Sequence, residues 1–164
     1  MKQIIIEVAK NVFQAASLKK TILASAESCT GGMLSTAITD IPGSSTVFEC
    51  GFVTYSNLSK MKLLGVREET LKTFGAVSEE VAAEMAIGAL YNSKANLAIS
   101  ITGVAGPGGT ITKPEGIVCF SIALDKNTKF NETTNFGPLG RNIVRLKATL
   151  YGLTLLKNAL AQYC

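Results

Sequence analysis

The chain contains no histidine. That absence removes Ser-His-Asp and Cys-His machinery for activating a nucleophile. It also removes most transition-metal sites, because the four cysteines (Cys29, Cys50, Cys119 and Cys164) do not cluster. Without a CxxC spacing they outline neither a zinc site nor a disulfide framework, so no metal or cofactor is expected. No apolar run approaches the roughly 20 residues that a membrane span needs. The opening residues Met1 to Val8 include an acid, Glu7, and lack a small-residue cleavage pattern. No signal peptide and a cytoplasmic location are expected. The net charge of +4 is spread over scattered lysines and arginines with no basic stripe, which gives no reason to expect nucleic acid. Internal repeats, low-complexity stretches and linkers are also lacking. An enzyme of this composition working near neutral pH must take its base from a lysine, a carboxylate, a tyrosine or water.

What is present is a strongly patterned chain. Hydrophobic residues make up 47% and charged residues 17% of its 164 positions, which fits one folded domain over 1–164 with a proper core. Ile4, Ile5, Val8, Val12, Phe13 and Ala16 recur at helical spacing over 3–17. The spacing then predicts a strand over 21–26, a helix over 31–39, and a stop at the turn cluster Asp40-Ile41-Pro42-Gly43. A β-rich strand follows over 47–55, then a short helix capped at Ser56-Asn57 and ended by Gly65. Helices over 67–73 and 78–91, a strand over 96–102, a glycine loop over 103–110, a hairpin of 116–124 with 129–136, and a long apolar helix over 140–162 complete the reading. Early strand–helix alternation and a late hairpin predict an α/β fold: a three-layer α/β/α sandwich with a mixed sheet.

Three loops follow the apolar strands, and ligands in open α/β sheets sit beyond the carboxyl ends of strands. If the strands run parallel, the loops meet at one edge. The first loop holds Ala26-Glu27-Ser28-Cys29-Thr30-Gly31-Gly32. A hydroxyl at a strand-to-helix turn can act as nucleophile, with the N–H groups around Thr30, Gly31 and Gly32 holding an oxyanion. Ser28 or Thr30 could equally cap the helix, and Cys29 is a rival nucleophile if the helix terminus lowers its pKa. The second loop offers Tyr55, Asn57 and Lys60. A desolvated, neutral lysine beside Ser28 would make a Ser-Lys pair, which activates a hydroxyl without histidine. A solvated surface lysine is the plain alternative. The third loop carries Thr102, Gly103, Gly106, Gly108 and Gly109. It is neither a P-loop nor a dinucleotide fingerprint, yet its glycines permit close backbone approach to a ligand, a phosphate included. Arg141 and Arg145 lie one turn apart on the last helix and suit a phosphate or carboxylate, or simply face solvent.

Taken in order, Ala26–Gly32, Gly51-Phe52-Val53-Thr54-Tyr55-Ser56-Asn57, Gly75-Ala76-Val77-Ser78, Thr102–Gly109 and Lys113-Pro114-Glu115-Gly116 resemble the CinA C-terminal domain family over essentially the whole chain. Its free-standing members include nicotinamide-nucleotide amidases. The resemblance implies hydrolysis of the carboxamide of nicotinamide mononucleotide (NMN) to nicotinate mononucleotide and ammonia, in pyridine-nucleotide salvage. It also implies a homodimer, with no membrane or nucleic-acid partner. The family's nucleophile falls on Ser28, its lysine on Lys60, its tyrosine on Tyr55 and its threonine on Thr102. In two places the chain departs from the family: Gly140 stands where an acid often precedes the arginine matching Arg141, and Glu115 where valine is common. A non-catalytic nucleotide-binding protein and an amidase for a different amide are the rival readings.

Overall fold

The computed structural model describes residues 1–164. Five strands form one sheet in the order β2-β1-β3-β4-β5: β1 (Leu23–Glu27), β2 (Phe48–Val53), β3 (Leu97–Gly103), β4 (Ile117–Leu124) and β5 (Asn127–Asn135). β2 and β3 run parallel to the central β1. β4 and β5 are antiparallel, joined by the tight turn at Asp125-Lys126 with both residues at positive φ. The sheet is therefore mixed, as the pattern predicts.

Alternation along the strands sorts the two faces by size. Leu23, Leu97, Ile99, Ile101, Val118, Phe120 and Ile122 fill one face. There they meet α1 (Lys2–Lys19), α2 (Met33–Thr39) and α6 (Arg141–Tyr163). The opposite face of the central strands carries the small groups Ala24, Ala26, Ala98 and Ala123, with Phe52 of β2 packed beside them. Small side chains let α5 (Glu79–Tyr91) lie close to the sheet, and the Ser100 hydroxyl donates to the Ala82 carbonyl at 2.5 Å. Above α5 sit α3 (Asn57–Leu64) and α4 (Glu68–Phe74). Gly88 of α5 touches α3 so closely that a Cβ there would stand 1.9 Å from the Leu64 carbonyl oxygen. Three layers result.

Two sequence expectations change on burial. Ile4 stands at helical spacing with the core residues yet is 51% exposed, because α1 buries Ile5, Ala9, Val12 and Ala16 instead. The long last helix is buried along one stripe only, and Ile143 lies outside it. A 3₁₀ turn at Ser44–Thr46 also occupies the loop before β2.

Candidate active site

The parallel run of β1, β2 and β3 brings their carboxyl ends together, and an open cavity of about 390 Å³ lies beyond them. Ser28, Tyr55, Lys60 and Thr102 all line it. So do Asn57, Gly103, Gly106, Gly108, Gly109 and Arg141.

Ser28 follows β1 directly, and its N–H donates to the Ile101 carbonyl of the neighbouring strand at 2.8 Å. The turn after it is held by a residue that sequence spacing does not single out. Glu27, the last residue of β1, is fully buried. Its carboxylate accepts from the N–H groups of Gly32, Leu34 and Ser35 and from the Ser35 hydroxyl. An acid meeting the first N–H groups of a helix is favourable, and here it ties α2 back onto β1. Its signal in the sequence is an acid ending an apolar strand, with a helix start a few residues on.

Lys60 lies on α3, which starts at a capping box of Ser56 and Ser59. Side chain and backbone together are only 1% exposed. Its Nζ donates to the Thr54 carbonyl at 2.7 Å and stands 3.0 Å from Ser28 Oγ. No carboxylate pairs with it; the ion pairs of the chain are Arg67–Glu84 and Lys72–Glu68. Burial without a counter-charge pushes the lysine below its ordinary pKa. In its neutral form such an amine has a lone pair able to accept a proton from a neighbouring hydroxyl. Cys29 is buried too, and burial pushes its thiol up to about 12, which keeps it protonated and a poor nucleophile near neutral pH.

Neither Tyr55 nor Thr102 hydrogen-bonds to Lys60. Tyr55 is 61% exposed at the cavity mouth, and its hydroxyl oxygen accepts from Arg141 Nη2 at 2.6 Å. Thr102 Oγ1 donates to the Ala76 carbonyl at 2.8 Å, which draws the 75–78 loop onto the sheet edge. The Thr54 carbonyl orients Lys60 in their place. Arg141 also donates from Nη1 to the Gly106 carbonyl at 3.0 Å, so it bridges the glycine loop and Tyr55 across the cavity. The N–H groups of Gly106, Gly108 and Gly109 have no acceptor within the chain, leaving donors open toward a ligand. Glu115 lies against Gly106 and accepts from the Gly140 N–H at 2.7 Å. No three cysteine, aspartate or glutamate side chains converge in a way that could hold a metal ion.

Arg145 and the Thr30–Gly32 stretch depart from expectation. None of Arg145, Thr30, Gly31 and Gly32 lines the cavity. Arg145 approaches the turn from behind, donating to the carbonyls of Cys29 (3.1 Å) and Thr30 (2.9 Å). The N–H groups of Gly31 and Gly32 are occupied, by the Ser28 carbonyl and by Glu27. Those of Cys29 and Thr30 find no oxygen acceptor and face the buried Cys29 sulfur.

The family model of the CinA C-terminal domain matches residues 5–160. A CinA-like protein of Chlorobium phaeobacteroides is 61% identical over 105 residues, 63% of this chain; that match spans 25% of the longer protein. The nicotinamide-nucleotide amidohydrolase PncC of Escherichia coli K12 is 47% identical over 153 residues, covering 93% of this chain and 92% of that one. In the crystal structure of the competence/damage inducible protein CihA from Agrobacterium tumefaciens, a fold with TM-score 0.93 covers 97% of this chain and 96% of that one at 42% identity. The chain belongs to the CinA C-terminal domain family.

Proposed function

We propose that the chain is an amidohydrolase that cleaves the carboxamide of NMN, giving nicotinate mononucleotide and ammonia by a Ser-Lys mechanism. One observation carries the chemistry: a buried lysine with no carboxylate partner, 3.0 Å from a serine that lines the cavity. The likeness to PncC over 93% of the chain supports the substrate.

Neutral Lys60 accepts the Ser28 Oγ proton as Oγ attacks the carboxamide carbon. The carbonyl oxygen becomes an oxyanion, for which the Cys29 and Thr30 N–H groups are the turn's donors without an oxygen acceptor. As the tetrahedral intermediate collapses, the Lys60 ammonium gives its proton to the departing nitrogen, and ammonia leaves. Water, deprotonated by the same amine, then attacks the acyl-serine and releases the carboxylate. Arg141 and the open N–H groups of Gly106, Gly108 and Gly109 suit the nucleotide phosphate. The product belongs to pyridine-nucleotide salvage.

The test is ammonia release from NMN by the purified protein with EDTA present, beside Ser28→Ala. Release by the wild type and a loss of at least about 10³-fold in the variant is expected, the scale of removing a nucleophile of this kind. A folded wild type that releases no ammonia from NMN would remove the substrate reading. Full activity in Ser28→Ala would remove the serine.

A further inference from the structure

We propose that Arg145 is a positioning residue that aims the oxyanion donors of the nucleophile turn, and that it does not hold the substrate's phosphate. The proposal rests on Ser28 being the nucleophile. Arg145 stands one helical turn from Arg141 on α6, but the two guanidiniums reach different places. Arg141 bridges the cavity from Tyr55 to Gly106. Arg145 Nε donates to the Cys29 carbonyl at 3.1 Å and Nη2 to the Thr30 carbonyl at 2.9 Å, and the residue does not line the cavity.

Peptide planarity turns that grip into a statement about the opposite face. In a trans peptide the C=O and the next residue's N–H point opposite ways. Holding the Cys29 carbonyl therefore sets the direction of the Thr30 N–H, and holding the Thr30 carbonyl sets that of the Gly31 N–H. The latter donates to the Ser28 carbonyl at 3.1 Å, which in turn fixes the Cys29 N–H. The N–H groups so aimed, of Cys29 and Thr30, are those of the turn with no oxygen acceptor. Gly31 is required for the approach: its φ is +60°, and a Cβ there would stand 3.1 Å from Arg145 Nη2. Donors fixed before the charge develops are what oxyanion stabilisation needs.

The experiment compares Arg145→Met and Arg145→Lys with the wild type in three readouts: kcat for NMN, Kd for NMN in the non-turning-over Ser28→Ala background, and the rate of Ser28 labelling by a fluorophosphonate. In the labelling step a P–O bond forms to Ser28 Oγ as the P–F bond breaks. Fluoride leaves, the serine proton passes to Lys60, and the phosphoryl oxygen takes the oxyanion's place. The expected result for Arg145→Met is a fall of about 100-fold in kcat, the scale of losing one oxyanion donor. Labelling should slow comparably, and Kd should stay within about twofold, since the phosphate is held elsewhere. Arg145→Lys, able to keep one carbonyl, should fall between, and it carries the comparison if Arg145→Met does not fold. A Kd raised tenfold or more with kcat retained overturns the proposal in favour of a phosphate contact, and an unchanged labelling rate overturns it outright. A wild type that is labelled at Ser28 but ignores NMN removes the substrate reading alone, and the labelling rates still decide on Arg145. A wild type that is neither labelled nor active removes the nucleophile and this proposal with it.

Discussion

Lys60 carries two consequences from one burial. A lysine in water titrates near about 10.4, and desolvation with no counter-charge lowers that value in the folded protein. A lowered pKa favours the neutral amine that the proposed mechanism calls for. It also costs stability. Between the depressed folded value and the ordinary unfolded one, the unfolded chain binds more protons than the folded one. Stability therefore rises with pH across that window. At neutral pH the charged unfolded lysine must lose its proton or be buried as an ammonium; as pH approaches about 10.4 a growing share of the unfolded chain has already lost it. Lys60→Met removes this dependence. The stability of Lys60→Met relative to wild type, followed by urea unfolding from pH 7 to pH 10, should be most favourable to the variant at pH 7 and decline steadily as pH rises. A difference that stays constant across that range would mean the lysine is not desolvated in the fold.

At the scale of elements, the distance from Lys60 to Ser28 depends on how α3 sits against α5. Lys60 is on α3, and α3 rests on α5 where Gly88 leaves no room for a side chain. The obstacle is the Leu64 backbone, whose carbonyl oxygen, carbon and Cα would all lie within 2.9 Å of a Cβ at position 88, so no rotamer relieves it. Gly88→Ala should push α3 outward, lower stability by about 2 kcal/mol and reduce kcat as Lys60 leaves Ser28. Gly152→Ala is the control from α6: the atoms nearest its Cβ would be the Cδ1 ends of Ile101, Leu34 and Ile99, which can shift. It should cost less stability and leave kcat nearly unchanged, measured by thermal melting and ammonia release. Equal losses in the two variants would mean that α3 is not positioned by this contact.

For the molecule as a whole, the site exists because three parallel strands end at the same edge before the chain reverses into β4 and β5. Apolar runs and turn residues make the strands, the mixed sheet and the gathering of three loops legible in the sequence. The absence of histidine leaves a lysine, a carboxylate, a tyrosine or water as base, and the fold sets Lys60 Nζ 3.0 Å from Ser28 Oγ. Other features depend on orientation, which spacing does not carry. Arg141 and Arg145 share a helix face by periodicity, but only the fold decides that one meets the cavity and the other the back of the turn. Tyr55 and Thr102 stand at strand ends, as read, yet their partners, Arg141 and Ala76, come from segments far along the chain. Glu27 is legible as an acid that ends an apolar strand, but that its carboxylate is buried against the start of α2 is set by the fold. Ile4 fits the helical stripe by count and still points outward.

The central claim, that neutral Lys60 draws the proton from Ser28, is tested most directly by kcat/KM for ammonia release from NMN as a function of pH, in wild type and Lys60→Met. This quantity reports the ionisation of the free enzyme. The account predicts a rise through a pKa below about 10.4, a plateau above it, and loss of activity at every pH in Lys60→Met. A profile still climbing at pH 10, or a Lys60→Met enzyme with wild-type rates, would contradict it.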